Sequence, residues 1–136
     1  SKVKILPLFV LYINMYTALV LTHEAQNELR QLLEDFIPNG WEIICHHMTI
    51  NMGSADRGPA EGLVGQPATL KVVSIGMDDL VMAVGVKSEV PSKNVIPHVT
   101  LAVNRDEGGK PFLSNQLENW EDLDGPTLDG VVEEVT

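Results

Sequence analysis

A chain of 136 residues with 44% hydrophobic residues has the length of one ordinary domain and the apolar content for a core, which excludes global disorder. Its net charge of −10 leaves too few lysines and arginines to neutralise a long duplex, while a small anionic ligand or a nucleic-acid end stays open where local positive groups converge. The single cysteine, Cys45, excludes an intrachain disulfide and fits a reducing, cytoplasmic compartment.

Residues 5–21 run mostly apolar behind Lys2 and Lys4. Pro7, Asn14 and Thr17 interrupt the run, and no small-residue cleavage site follows. The run is also shorter than a comfortable spanning helix of about 20 residues. It is read neither as a signal peptide nor as a membrane span, and no membrane partner is expected. Met15 reads as a natural start, which makes residues 1–14 an N-terminal extension of a single domain covering 1–136.

Tyr16 to Leu21 is predicted as the first strand. Thr22 is placed to cap a helix in which Ala25, Leu29, Leu32, Leu33, Phe36 and Ile37 form one buried stripe. Pro38-Asn39-Gly40 ends it. Trp41 to Asn51 reads as one long strand. Gly53 to Pro67, rich in glycine and proline, reads as a long loop, and it lacks the Gly-Lys-Ser/Thr ending of a triphosphate-binding loop. Ala68–Ile75 and Leu80–Lys87 are predicted strands joined by a hairpin turn. A second turn at Pro91–Asn94 leads to a strand over Ile96–Val103. A polar loop follows, then a short helix over Ser114–Leu123 with Leu117, Trp120 and Leu123 inward. Leu128–Val135 reads as a final edge strand, blunted by Glu133 and Glu134. This order predicts an α+β domain with largely antiparallel sheets flanked by helices.

Two of these strands share a pattern: His47-Met48-Thr49-Ile50 and His98-Val99-Thr100-Leu101. Residues two apart on a strand point to one face, so His47 projects with Thr49, and His98 with Thr100. The opposite faces carry Met48 and Ile50, or Val99 and Leu101, and suit burial. Two imidazole-plus-hydroxyl pairs are a kit for acid–base chemistry on a bound phosphate. One such motif alone carries little information, since histidine and threonine occur in ordinary strands. His46 alternates away from His47 and reads as a structural or supporting residue. A metal site from His46, His47 and His98 would need adjacent strand residues to converge, so no metal or cofactor is expected. Cys45 reads as a small core residue, and Trp41 and Trp120 as packing residues beneath the sheet. Tyr16, Arg57, Lys71 and Arg105 are candidate substrate contacts, Tyr16 by its place on the first strand and the others by charge.

The paired motifs resemble those of the 2H phosphoesterase superfamily, which includes cyclic nucleotide phosphodiesterases and 2′–5′ RNA ligase-like proteins. The resemblance covers Tyr16 to Trp120. It implies a bilobal α+β fold in which the motifs face one another across a central groove. It also implies a metal-independent phosphodiesterase that opens a cyclic phosphodiester: a 2′,3′-cyclic nucleotide, an RNA cyclic end or a cyclic oligonucleotide. His47 and His98 would act as acid and base, and Thr49 and Thr100 would donate to the phosphate. The partner is then a small nucleotide or an RNA end. The short separation of the motifs implies trimmed recognition loops. A non-catalytic nucleotide-binding or RNA-end-binding protein and an RNA 2′–5′ ligase are the alternatives. The acidic charge speaks modestly against the ligase, and the presence of both complete motifs speaks for the enzyme over the binder.

Overall fold

Apolar, β-branched runs at period two need partners on both edges as well as a covered face, and in this chain the strands supply both by closing on themselves. The computed structural model describes residues 15–136, so the N-terminal extension lies outside the described residues. Strands β1 (Tyr16–Leu21), β3 (His47–Met52), β4 (Pro67–Met77), β5 (Val81–Ser88), β6 (His98–Val103) and β8 (Thr127–Val135) form an antiparallel six-stranded barrel. Around it the order is β6, β3, β1, β8, β4, β5 and back to β6. Two short strands attach at its edges, β2 (Glu42–Ile43) on β6 and β7 (Glu121–Asp122) on β4. The α+β class and the antiparallel pairing match the sequence reading.

The main core includes Leu19, Met48, Ile50, Leu70, Val72, Val84, Val99, Leu101, Leu128 and Val132, all buried. Helix α1 (His23–Leu33) joins the same core through Ala25, Leu29 and Leu33, spaced four apart. Thr22 Oγ1 accepts from the Ala25 N–H at 3.1 Å, the cap expected from the sequence. The stripe is narrower than expected. Leu32, off the Ala25–Leu29–Leu33 line of the helix, is exposed, and so is Phe36, where the chain has left the α-helix for a 3₁₀ turn over Glu34–Phe36.

Two further expectations are corrected. The segment after Lys110 is not a helix over 114–123. It forms 3₁₀ turns over Pro111–Gln116 and then the two-residue strand β7. The Asn115 side chain donates to the Phe112 carbonyl at 3.0 Å, competing with helical pairing. Trp120 Nε1 donates to the Leu117 carbonyl at 3.0 Å, and the ring lies over Gly76, where a Cβ would come within 3.0 Å of it. The neighbouring Glu121–Asp122 then pairs with Ser74 and Ile75 on β4. The last strand is not an edge. β8 pairs with β1 from Tyr16↔Val135 to Leu21↔Gly130, and with β4 on its other side. Leu128, Gly130 and Val132 alternate inward, so Glu133 and Glu134 do not blunt an open edge.

Candidate functional site

The first motif strand is broken at Cys45. This buried residue has φ +50°, the one positive value among the described non-glycine residues. Up to it the backbone follows one register on β6: Glu42 opposite Val103, Ile43 opposite Ala102, and the Cys45 N–H bonded to the Thr100 carbonyl at 3.0 Å. Beyond it Met48 pairs with Val99. Two residues, His46 and His47, are thus inserted where β6 inserts none, a bulge that twists and re-aims the strand. Side-chain phase slips with it. Cys45, Met48 and Ile50 all belong to the main core, whereas Ile44 packs with Val81, Ala83, Val103 and Leu117 in a second cluster.

The strand alternation expected across residues 41–51 is therefore wrong at the motif itself. His46 does not part from His47. Their Nδ1 atoms lie 3.0 Å apart and their rings meet edge to face with centroids 5.2 Å apart. Sequence reasoning missed this because a left-handed cysteine carries no periodicity signal. Cys45 keeps the core role read from the sequence, and burial pushes its thiol up to about 11.

Around the Met48–Val99 pair, antiparallel geometry sets Thr49 opposite His98, while Thr100 faces the bulge that carries His47. On the far side of β6, His98 pairs with Gly85 and Thr100 with Ala83, small residues that leave room above the strand. The side chains of His47, Thr49, His98 and Thr100 line one cavity of about 660 Å³, together with Tyr16, Asn51, Met52, Lys93, Asn94, Pro111, Phe112 and Asn115. The turn at 91–94 reaches it because Ser92 Oγ donates to the Thr49 carbonyl at 2.7 Å and the Lys93 N–H bonds the Ile50 carbonyl at 2.8 Å. The Pro111–Gln116 turns are held by the Thr100 and Ser114 hydroxyls, 2.8 Å apart.

The cavity histidines are tied differently. His98 Nδ1 lies 2.8 Å from the Ile96 carbonyl oxygen. A carbonyl only accepts, so Nδ1 carries hydrogen and Nε2 is the nitrogen left for a ligand. His47 engages His46 through Nδ1 and stacks on Tyr16 with centroids 5.0 Å apart. Burial, then the charges of His46 and His98, pull the His47 imidazole down to about 4. Burial also lowers His98, opposed by its bond to Ile96. Burial raises the Tyr16 phenol. Near neutral pH the cavity therefore presents two uncharged imidazoles, and among the described residues Lys93 is the one cationic side chain on its wall. Among the described residues no group of three His, Cys, Asp or Glu side chains is arranged to hold a metal ion.

Of the residues chosen from the sequence, the structure brings together His47, Thr49, His98, Thr100 and Tyr16. Arg57 sits in a 3₁₀ turn away from the cavity wall. Lys71 pairs with Asp124 at 2.9 Å, and Arg105 with Glu42 at 2.6 Å, both on the exposed surface. Their charge is spent locally: Lys71 lies on β4 and Arg105 in a 3₁₀ turn after β6, and neither lines the cavity. Lys93, Asn94, Phe112 and Asn115 were missed; the turn signal at Pro91–Asn94 was legible, but not the hydrogen bonds that dock it on β3. Trp41 packs partly buried against the main core and Trp120 against the second cluster. Among the described residues no helix is long and apolar enough to cross a membrane. No family model matches the chain, and no curated protein or solved structure matches it.

Proposed function

We propose that this protein is a phosphodiesterase of the 2H type that opens cyclic phosphodiesters by two-histidine acid–base catalysis without a metal. The observation that carries the reading is the meeting of both His-x-Thr pairs in one cavity wall, on neighbouring strands. Thr49 is then a free donor for one non-bridging oxygen of the phosphate, and Thr100 for the other once its hydroxyl turns from the Pro111 carbonyl, as the charge on those oxygens rises in the transition state. One imidazole takes a proton from the attacking water. The other gives a proton to the leaving ribose oxygen, and the products are a phosphomonoester and a free hydroxyl. Lys93 offsets the charge of the bound anion.

Binding of the anion lets the site take the missing proton from solvent. A phosphate between two neutral imidazoles favours their charged forms, so substrate binding raises the proton affinity that burial has lowered. The acidic surface and the cavity of about 660 Å³ fit a nucleotide or a single RNA end better than a duplex.

The test is a panel of 2′,3′-cyclic nucleotides, RNA with cyclic ends and cyclic oligonucleotides, incubated in EDTA and read by mass spectrometry. Gain of one water by at least one substrate class is expected. Tight binding of these compounds with no turnover would replace the enzyme by a binding protein. Turnover lost to chelator and restored by zinc would overturn the two-histidine scheme.

A further inference from the structure

On a regular strand the rings of His46 and His47 would lie on opposite faces. The bulge instead brings their Nδ1 atoms to 3.0 Å. Two imidazole nitrogens at that distance need one proton between them. With none, two lone pairs face each other; with two, two N–H groups collide. One ring therefore donates and the other accepts.

The direction follows from what His47 must do. Resting on the phosphodiesterase reading, His47 alternates between a neutral ring and an imidazolium. The imidazolium carries hydrogen on both nitrogens, so its Nδ1 must donate, and His46 Nδ1 must be bare to receive it. A proton held on His46 Nδ1 would suit the neutral state of His47 alone and would break the contact once His47 is charged. A proton held on His47 Nδ1 serves both states without rearrangement. His98 is built on the same plan, with Ile96 O as its acceptor.

We infer that His46 is a positioning residue: its bare Nδ1 accepts the Nδ1–H of His47, fixes the tautomer of that ring, and leaves His47 Nε2 to exchange a proton with the substrate. His46 touches no reacting atom in this scheme and acts through His47. The other groups facing His47 are the Tyr16 phenol from β1 and His98 from β6, with Lys93 on the same cavity wall. None of them is an acceptor hydrogen-bonded to the Nδ1 of His47.

Two measurements on the whole protein test this. The first is ¹⁵N NMR of the histidine rings, without ligand and with inorganic phosphate. His47 is expected as the Nδ1–H tautomer and His46 as the Nε2–H tautomer at pH 8, both without ligand and with phosphate bound. The reverse tautomers would overturn the inference. The second is turnover of a 2′,3′-cyclic nucleotide by His46→Ala and His46→Asn, with melting temperatures for both. Loss of an orienting partner lowers kcat by about 10–100-fold with KM nearly unchanged. The Asn carbonyl oxygen stands near the place of Nδ1 and accepts, so His46→Asn is expected to recover most of that loss. Full activity of a folded His46→Ala variant overturns the inference and leaves the phosphodiesterase reading intact. Absence of turnover by the unmodified protein sinks that reading, while the tautomer measurement still decides the role of His46. Should His46→Ala not fold, His46→Asn and the spectra decide.

Discussion

Thr100 Oγ1 and Ser114 Oγ lie 2.8 Å apart in a buried contact, whereas the hydroxyl of Thr49 has no hydrogen-bond partner among the described residues. The two motif threonines are thus unequal. Thr49 is half-buried and its donor is free for a ligand. Thr100 Oγ1 donates to the Pro111 carbonyl at 3.3 Å and so accepts from the Ser114 hydroxyl. Thr49→Val is expected to raise KM or lower kcat by about tenfold with little change in melting temperature. Thr100→Val strands the Ser114 hydroxyl, 1% exposed, and is expected to cost about 1–3 kcal/mol of stability as well as activity. Denaturant midpoints for the two variants check the asymmetry; equal stability loss would contradict it.

The histidine pair sets the pH dependence of turnover. His47→Gln and His98→Gln should each lower kcat by roughly 10²–10⁴-fold, since each removes one proton-transfer partner. Burial lowers the proton affinity of both rings in the free protein, so kcat/KM should follow a bell with its maximum below pH 6.5. A maximum above pH 7.5 would show that another group supplies the acid limb.

Stability should fall in mild acid. His47 takes up its proton near pH 4 when folded and near 6.5 when unfolded. Above pH 6.5 both states hold it neutral and nothing changes. Between 6.5 and 4 the unfolded chain binds a proton that the folded chain refuses, so stability drops as pH falls, by at most about 3 kcal/mol, and then levels off. His98 acts in the same direction. Urea melts at pH 7 and pH 4.5 should show a smaller difference for His47→Gln than for the unmodified protein.

The bulge makes Cys45 a sensitive position. A β-branched residue at φ +50° is strained, so Cys45→Val is expected to cost about 1–3 kcal/mol and to lower turnover by disturbing both His46 and His47. Cys45→Gly relieves the backbone and loses only a small buried side chain, so it should keep more activity than the valine variant. The reverse order, measured as residual kcat, would mean that the bulge does not place the motif.

Much of the strand pattern was legible because it is local. Period-two runs and the Thr22 cap depend on neighbours in sequence, and they located β1, α1, β4, β5 and β6. The motif faces were legible at Thr49, His98 and Thr100 for the same reason. His46 was misplaced because one backbone dihedral at Cys45 resets the phase, and a cysteine does not announce a left-handed conformation as glycine does. Closure by β8 was missed because its acidic residues look like edge protection and its pairing with β1 spans nearly the whole described chain. Arg57, Lys71 and Arg105 were chosen by charge, and charge says nothing of direction; Lys93 was brought in by a turn that Ser92 docks on β3.

The β3–β6 seam is stitched at one residue pair, Met48 with Val99, while the neighbouring seams run along most of a strand. Past that pair, the carbonyls of Thr49 and Ile50 are taken by Ser92 and Lys93 rather than by β6. The two motifs therefore flank the place where the barrel wall unzips most readily, and local opening there needs few broken bonds. Amide deuterium uptake among the barrel strands should be fastest at this seam. A ligand that reaches Thr49 and His98 together bridges the gap and supplies rungs that the backbone omits. Its binding then acts as a clasp, and slowed exchange in β3 and β6 becomes a direct report of occupancy even for a compound that is never turned over.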